Sequence, residues 1–359
     1  MISSDRLLLL RFPSQNGRMP KGGVTSGDVA QLARVSQSAV SRTFSPGGSV
    51  SPEMRARVLA AAQQLGYRPN ALARAMISGR SGLIALLVAY LDNHFYPQVL
   101  EMLSRALQNR GFQVLLFMTD RGRQDMVVQR MLQYQVEGIV MASATLSSSL
   151  ARECAKTGTP VVLFNRTVPG LPVSSVTSDN AEGGRQVGRL LAQAGHKRIA
   201  FISGQEDSST SRDREAGFAR GLAECGAAVF ARAVGGYTRE GAAQAVHALF
   251  GGAVRPDAVF VANDHMAFVA MDLLRAQYGL RIPDDVSVVG YDDVPEARWA
   301  AYDLTTVAQP GAEMVEATVA MLLEQVERRE VTRRAAVLPC RLVVRGSARI
   351  PAPAAAGGR

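Results

Sequence analysis

Along the first eighty positions apolar residues recur at helical spacing. Val29, Ala30, Ala33, Val35 and Val40 form one apolar set within VTSGDVAQLARVSQSAVSRT at 24–43, spread over two short helical patterns. Each pattern opens at a hydroxyl residue suited to N-capping, Thr25 for the first and Ser36 for the second. Thr25 has Asp28 three places on, an acidic variant of the capping box. A further helix starts at Ser51-Pro52-Glu53, with a cap, a proline at the first position and an acid in the first turn. It keeps Met54, Val58, Ala61 and Leu65 on one face and ends at Gly66-Tyr67-Arg68-Pro69. Residues 70–76 read as a short fourth helical piece closed by Ser78-Gly79.

Beyond residue 81 the period changes. Apolar runs at 83–91, 112–118, 138–142, 160–164, 173–177, 198–202, 257–262 and 285–290 read as buried parallel strands. Helical patterns fill the gaps, among them 97–108, 183–194, 214–224 and 238–249. Such alternation predicts α/β doubly wound parallel sheets. A stretch of about 270 residues is large for one such sheet, so two lobes are expected. Ligand would then bind at the carboxyl ends of strands, across the cleft between lobes.

Charge sharpens the first part. Eleven Lys/Arg stand against three Asp/Glu in residues 1–80, which is +8 of the chain's net +9. The basic excess coincides with the two-helix motif, as phosphate neutralisation requires. Outward positions on the second helix are Gln37, Ser38, Ser41 and Arg42, which can hydrogen-bond base edges and carry no negative charge. An ordinary αα-hairpin with a polar face is the plain alternative; the charge favours a DNA-reading helix-turn-helix. Arg34 departs from the glycine that this turn favours, because a side chain makes the left-handed conformation costlier.

Composition excludes several classes. Cys154, Cys225 and Cys340 are odd in number and far apart, so neither a disulfide framework nor a metal-ligand spacing is implied, and a reducing cytoplasm is the expected setting. No metal and no cofactor are expected. No apolar stretch approaches the roughly 18 residues of a membrane span, and the Leu7–Leu10 run is too short for a signal peptide.

Seven motifs in order resemble the lactose-repressor-type (LacI) family of transcription regulators, from about Val24 to Ser347. They are DVAxLAxVSxxAVSR at 28–42, LGYRPNALAR at 65–74, GHKRIAFISG at 195–204, REAGF at 214–218, AND at 262–264, IPDDVSVVGYDD at 282–293 and LTTVAQP at 304–310. The resemblance implies an N-terminal all-α helix-turn-helix headpiece with a hinge helix, followed by a two-lobed core similar to periplasmic sugar-binding proteins. It also implies a homodimer on a pseudo-palindromic operator. Residues 1–23 are then an expected disordered extension, with Met19 as an alternative first residue. The DNA-binding domain spans 24–68 and the hinge and linker 69–80. The effector-binding and dimerisation core covers 81–348, with one lobe at 81–178 and 308–334 and the other at 179–307 and 335–348. Residues 349–359 form a flexible tail without a tetramerising helix. The three lobe crossings fall near 178–180, near 305–309 and in the 330s.

Roles follow by resemblance. Gln37, Ser38 and Arg42 face the major groove, and Thr25, Ser36 and Ser41 touch phosphate. Asn70, Ala73 and Met76 belong to the hinge helix that enters the minor groove; Met76 is either the apolar wedge or a packing residue. In the cleft, Asn93 and Phe95 lie on a polar and aromatic rim, with Phe95 as stacking ring. Asn165 and Arg166 follow a strand, Arg214 grips ligand hydroxyls or a carboxylate, and Tyr237 is an aromatic wall. Asn263, Asp264, Asp292 and Gln309 bracket a polyol, with N-capping the equal alternative for Asp264. The effector is expected to be a sugar or sugar-acid-like metabolite, tilted towards an anion by Arg166 and Arg214. A solute-binding protein would share the core but not the basic headpiece. No nucleophile elbow, zinc-protease, Walker or dinucleotide motif points to an enzyme.

Overall fold

A computed structural model describes residues 24–45, 47–68, 80–119, 123–142, 147–171 and 173–351. The chain divides between Arg80 and Ser81 into two compact units. In the first, α1 (Ser26–Ala33), α2 (Gln37–Thr43) and α3 (Pro52–Leu65) close around Val29, Ala33, Val40, Val58 and Ala61. Small residues dominate because three short helices must approach closely to bury so few side chains. Arg55, on α3, ties down the loop between α2 and α3 by donating to the carbonyls of Thr43 at 3.0 Å and Gly48 at 3.1 Å. Phe44 and Tyr67 cover the open side, with ring centroids 5.8 Å apart.

The second unit holds two parallel sheets. The first has strand order β11-β5-β4-β3-β1-β2, built from β1 (Leu83–Val88), β2 (Gln113–Met118), β3 (Gly138–Ala142), β4 (Val161–Phe164), β5 (Ser174–Ser178) and β11 (Ala335–Leu338). One face carries α4 (Phe95–Gln108) and α11 (Gly311–Arg328), the other α5 (Gln124–Gln133) and α6 (Ser148–Lys156). The second sheet runs β7-β6-β8-β9, from β6 (Ile199–Ser203), β7 (Ala231–Val234), β8 (Ala258–Val261) and β9 (Ser287–Val289). Its helices are α7 (Asn180–Gln193), α8 (Ser209–Ala223), α9 (Arg239–Phe250) and α10 (Asp264–Ala276). A short antiparallel pair, β10 (Thr306–Ala308) with β12 (Arg341–Val343), lies along the crossovers.

Two helices of the second lobe meet backbone to backbone. A Cβ on Gly184 or Gly188 of α7 would strike the carbonyls of Arg214 and Phe218 on α8. One on Gly217 or Gly221 of α8 would strike those of Ala181 and Arg185. Four glycines, two per helix at four-residue spacing, thus set the close approach of the elements that carry Asn180 and Arg214.

The eight apolar runs all become strands, with trimmed ends. Four strands escape the apolar pattern. β7 and β11 are edge strands whose side chains alternate between partly buried and exposed, and β10 and β12 are three residues each. One boundary needs correction. The sequence places residues 335–348 wholly in the second lobe, but β11 pairs in parallel with β5 in the first sheet. The third crossing therefore comes after Leu338, because Ala335–Leu338 completes the open edge beside β5.

Candidate functional site

The headpiece presents one polar face. Thr25 Oγ1 accepts from Asp28 N at 3.3 Å while Asp28 Oδ2 accepts from Thr25 N at 2.8 Å, closing the capping box. Ser36 caps α2 by accepting from Ala39 N at 3.2 Å. Between the helices Arg34 takes φ 52° and ψ 51°, the left-handed conformation that its side chain disfavours. Thr25, Ser36, Gln37, Ser38, Ser41 and Arg42 are all exposed. Gln37 is not wholly free: its Nε2 donates to Ser26 Oγ at 2.8 Å, which orients the amide across the two helix starts. Asn70, Ala73 and Met76 lie outside the described residues.

A second cluster forms where strand ends of the two core lobes meet. Asp292, just past β9 and only 5% exposed, accepts from Asn93 Nδ2 at 2.9 Å and from Gln309 Nε2 at 2.7 Å. The Asn93 bond joins the lobes, and His94 adds a 2.8 Å contact to Glu296 beside it. Ser178 Oγ donates to Gln309 Oε1 at 2.8 Å, so both crossovers share one amide. Arg214 lies behind: Nε donates to Asn180 Oδ1 at 2.8 Å, Nη1 to the Ala262 carbonyl, and Nη2 stands 3.6 Å from Asp292 Oδ1. Its guanidinium covers the Tyr291 ring, 3.6 Å from the centroid.

Burial sets the proton affinities here. Asp264 has no exposed surface, and that burial, with the neighbouring Asp292, pushes its carboxyl up to about 7. Donors Thr306 Oγ1 at 2.6 Å and Val294 N at 3.0 Å oppose the shift. Asp292 is raised too, by burial, against the pull of Arg214. Tyr90 and Tyr96 are raised by burial and so stay protonated.

Non-glycine residues in left-handed backbone gather at the same place: Asn165 at φ 56°, Tyr237 at 62°, Asp292 at 131° and Asp293 at 56°. Tyr237 lies flat against Gly204, where a Cβ would enter its ring, and its hydroxyl meets Thr210 Oγ1 at 3.1 Å. The Arg166 guanidinium stands 5.9 Å from the Tyr237 centroid. Three buried polar atoms of the cluster lack partners: Asn165 Oδ1, Arg166 Nε and Asn263 Nδ2.

Some sequence-derived roles change. Asn93, Arg214, Asp292 and Gln309 come together in one network, and Arg166 meets Tyr237. Phe95 is no open rim: it is 5% exposed and packs on Tyr96 and Phe164, at 5.6 and 6.3 Å, as the first turn of α4 folds onto β4. Asp264 is not the N-cap. Asn263 takes that role, accepting from Met266 N at 3.0 Å, and Asp264 instead braces Thr306 and Val294. Asn180 and Thr306 were missed, and their only signal was adjacency to the crossovers.

A basic helix-turn-helix unit joined to a two-lobed parallel α/β core with a polar interlobe cluster defines a ligand-responsive DNA-binding regulator. The family described as bacterial regulatory proteins, lacI family, matches residues 26–70, and a periplasmic binding protein-like domain matches 188–348. The HTH-type transcriptional regulator CelR of Thermobifida fusca is 34% identical over 89% of this chain and 96% of its own length. The HTH-type transcriptional repressor CytR of Escherichia coli (strain K12) is 29% identical over 90% and 96%. Among solved structures, a lac repressor dimer bound to operator and the anti-inducer ONPF aligns with TM-score 0.81 at 29% identity, covering 91% of this chain and 99% of that one. A CelR–cellobiose complex aligns with TM-score 0.69 at 32% identity, covering 90% and 99%. The chain belongs to the lacI family of transcriptional regulators, and these relatives are regulators, not enzymes. Among the described residues, no helix is long and apolar enough to cross a membrane.

Proposed function

We propose that the protein is a repressor that binds a pseudo-palindromic operator as a homodimer and is switched by a sugar or sugar-acid-like metabolite held between the core lobes. The observation that carries this reading is the interlobe cluster: Asn93 of one lobe on Asp292 of the other, with unpartnered polar atoms beside them. A molecule that satisfies those atoms would favour one lobe arrangement over another and so bias DNA binding; which arrangement it favours decides whether it releases or promotes binding. Relatives described as an operator-bound dimer and a cellobiose complex support the dimer and the effector class. Leu116 and Met118, exposed on the edge strand β2, offer apolar surface for the dimer contact. On the DNA side, Gln37, Ser38 and Arg42 read the major groove, Thr25, Ser36 and Ser41 hold phosphate, and Asn70, Ala73 and Met76 form the minor-groove hinge with Met76 as wedge. The domain limits at 23, 68, 80 and 348 belong to the same reading.

The test is capture of fragmented genomic DNA by the purified protein at near-physiological salt, with sequencing of what is retained. Enrichment of one pseudo-palindrome near a few promoters is expected. Retention without any shared motif, with and without added metabolites, would overturn the reading.

A further inference from the structure

The face of the first sheet that carries α5 and α6 is not covered to its edge. The core beneath those helices draws on β1, β3 and β4 and on no residue of β5 or β11. In the register of the sheet, Leu163 of β4 pairs with Ser175 of β5, and Ser175 pairs with Ala335 of β11. Side chains so paired share a face, and the row steps down from leucine to serine and alanine towards the edge. Val337, two places along β11 and on the same face, is 62% exposed. The small residues leave a recess of about 420 Å³, walled by Val168, Pro169 and Val173 from the segment joining β4 to β5. Small-molecule sites occupy roughly 300–1,000 Å³.

Two arginines line the same recess, from the segment that leads into β11. Arg334 is answered: its Nη1 and Nη2 donate to the Glu324 carboxylate of α11 at 2.6 and 3.1 Å. Arg333 beside it is exposed and makes no ion pair among the described residues. An exposed arginine is by itself ordinary. One that borders an apolar recess offers its guanidinium fork to the carboxylate or phosphate of a molecule whose apolar body fills the space. Thr167 and Ser175 add hydroxyls within the same lining.

The recess lies apart from the interlobe cluster and yet borders it. Arg166 faces Tyr237 of the second lobe, whereas Val168 and Pro169, just beyond it, turn to the recess. Between them the Thr167 amide donates at 3.0 Å to Ser209 Oγ, at the start of α8 in the second lobe. The opposite wall leads into β11, from which the chain crosses between lobes after Leu338. Both walls thus belong to segments that join the lobes. The recess also sits at the sheet edge opposite β2, so a dimer contact made through β2 leaves it open.

We propose that this recess is a second small-molecule site, for an apolar organic anion whose carboxylate or phosphate pairs with Arg333. Its occupant holds the Thr167–Pro169 segment, steadies the Thr167–Ser209 link between lobes, and so is coupled to whatever binds in the cleft. The site does not depend on the proposed function; its regulatory meaning does.

The test uses the full-length protein. Calorimetry compares benzoate and phenyl phosphate with benzamide, the same ring without a charge. The anions are expected to bind, and benzamide to bind more weakly. Arg333→Gln should weaken the anions about tenfold and leave benzamide unchanged. Ala335→Leu, which fills the recess from an exposed edge position, should abolish binding of all three. The carboxylate and phosphate arms tell the two anions apart. Equal weakening by Lys197→Gln, an exposed charge of the second lobe, would reduce the result to diffuse attraction by a basic protein and overturn the site. Absence of anion binding, or binding indifferent to Arg333→Gln and Ala335→Leu, would overturn it too. Hydrogen exchange of residues 165–171 reads the coupling, with slower exchange expected when the tighter of the two anions is bound. Unchanged exchange would overturn the coupling and keep the site. Failure of operator capture alongside intact anion binding would overturn the proposed function and not the recess.

Discussion

Two side chains, Arg34 and Asp264, hold positions that oppose their own preferences, and a third, Gln37, is oriented by a neighbour. Arg34 sits in left-handed backbone at the headpiece turn, so Arg34→Gly should stabilise that unit by about 0.5–1 kcal/mol, read as a higher urea midpoint of the helical signal. An unchanged or lower midpoint would show that the Arg34 side chain contributes more than its strain costs. Asp264 is buried with its carboxyl raised to about 7, against about 3.9 in an unfolded chain. The native state then holds the proton more tightly, so this group's contribution falls as pH rises from about 4 to 7. Asp264→Asn has no such ionisation, and its stability relative to the parent should improve between pH 5 and pH 8 in denaturant titrations. A difference independent of pH would remove Asp264 from the account. Gln37 was readable as an outward polar residue, but its bond to Ser26 was not, since the two are eleven places apart. Gln37→Ala should cost about 1–3 kcal/mol on the cognate operator and little on unrelated DNA. Equal losses on both, in titrations at fixed salt, would give it a positioning role only.

Helices and strands were legible wherever one period dominated. The central strands β1, β3 and β4 are buried along nearly their whole length, so they appear as unbroken apolar runs. β7 reads Ala-Arg-Ala-Val because it closes an edge, where Arg232 reaches Glu215 at 2.6 Å instead of entering the core. The glycines of α7 and α8 look like poor helix formers in sequence and become intelligible only as a pair of surfaces. Gly188→Ala or Gly217→Ala should destabilise by about 1–3 kcal/mol, since each added methyl meets a carbonyl of the facing backbone and not a movable side chain. Denaturation midpoints equal to the parent would mean the helices can part at no cost. The same logic explains the site: Arg166 and Arg214 are both plain arginines in sequence, and only the three-dimensional neighbours separate the one beside a carboxylate from the one among tyrosine rings.

At the scale of the molecule, the Asn93–Asp292 bond links lobes through residues 199 positions apart. Asn93→Ala removes the first-lobe partner while Gln309 and Arg214 still hold Asp292. The ligand-free variant should therefore open more, with a larger radius of gyration in X-ray scattering. An unchanged radius would assign lobe closure to the His94–Glu296 contact and the apolar packing around it. The return of β11 to the first sheet has a consequence in time as well as in space. Edge strand Ala335–Leu338 finishes one lobe, and a few residues later Ser347 binds Val288 and Thr305 to secure the other. A chain made from its N-terminus, at roughly 5–20 residues per second, therefore releases its headpiece early but holds both lobes unfinished until the final seconds of synthesis. A newborn chain could thus carry a reader before it carries a switch.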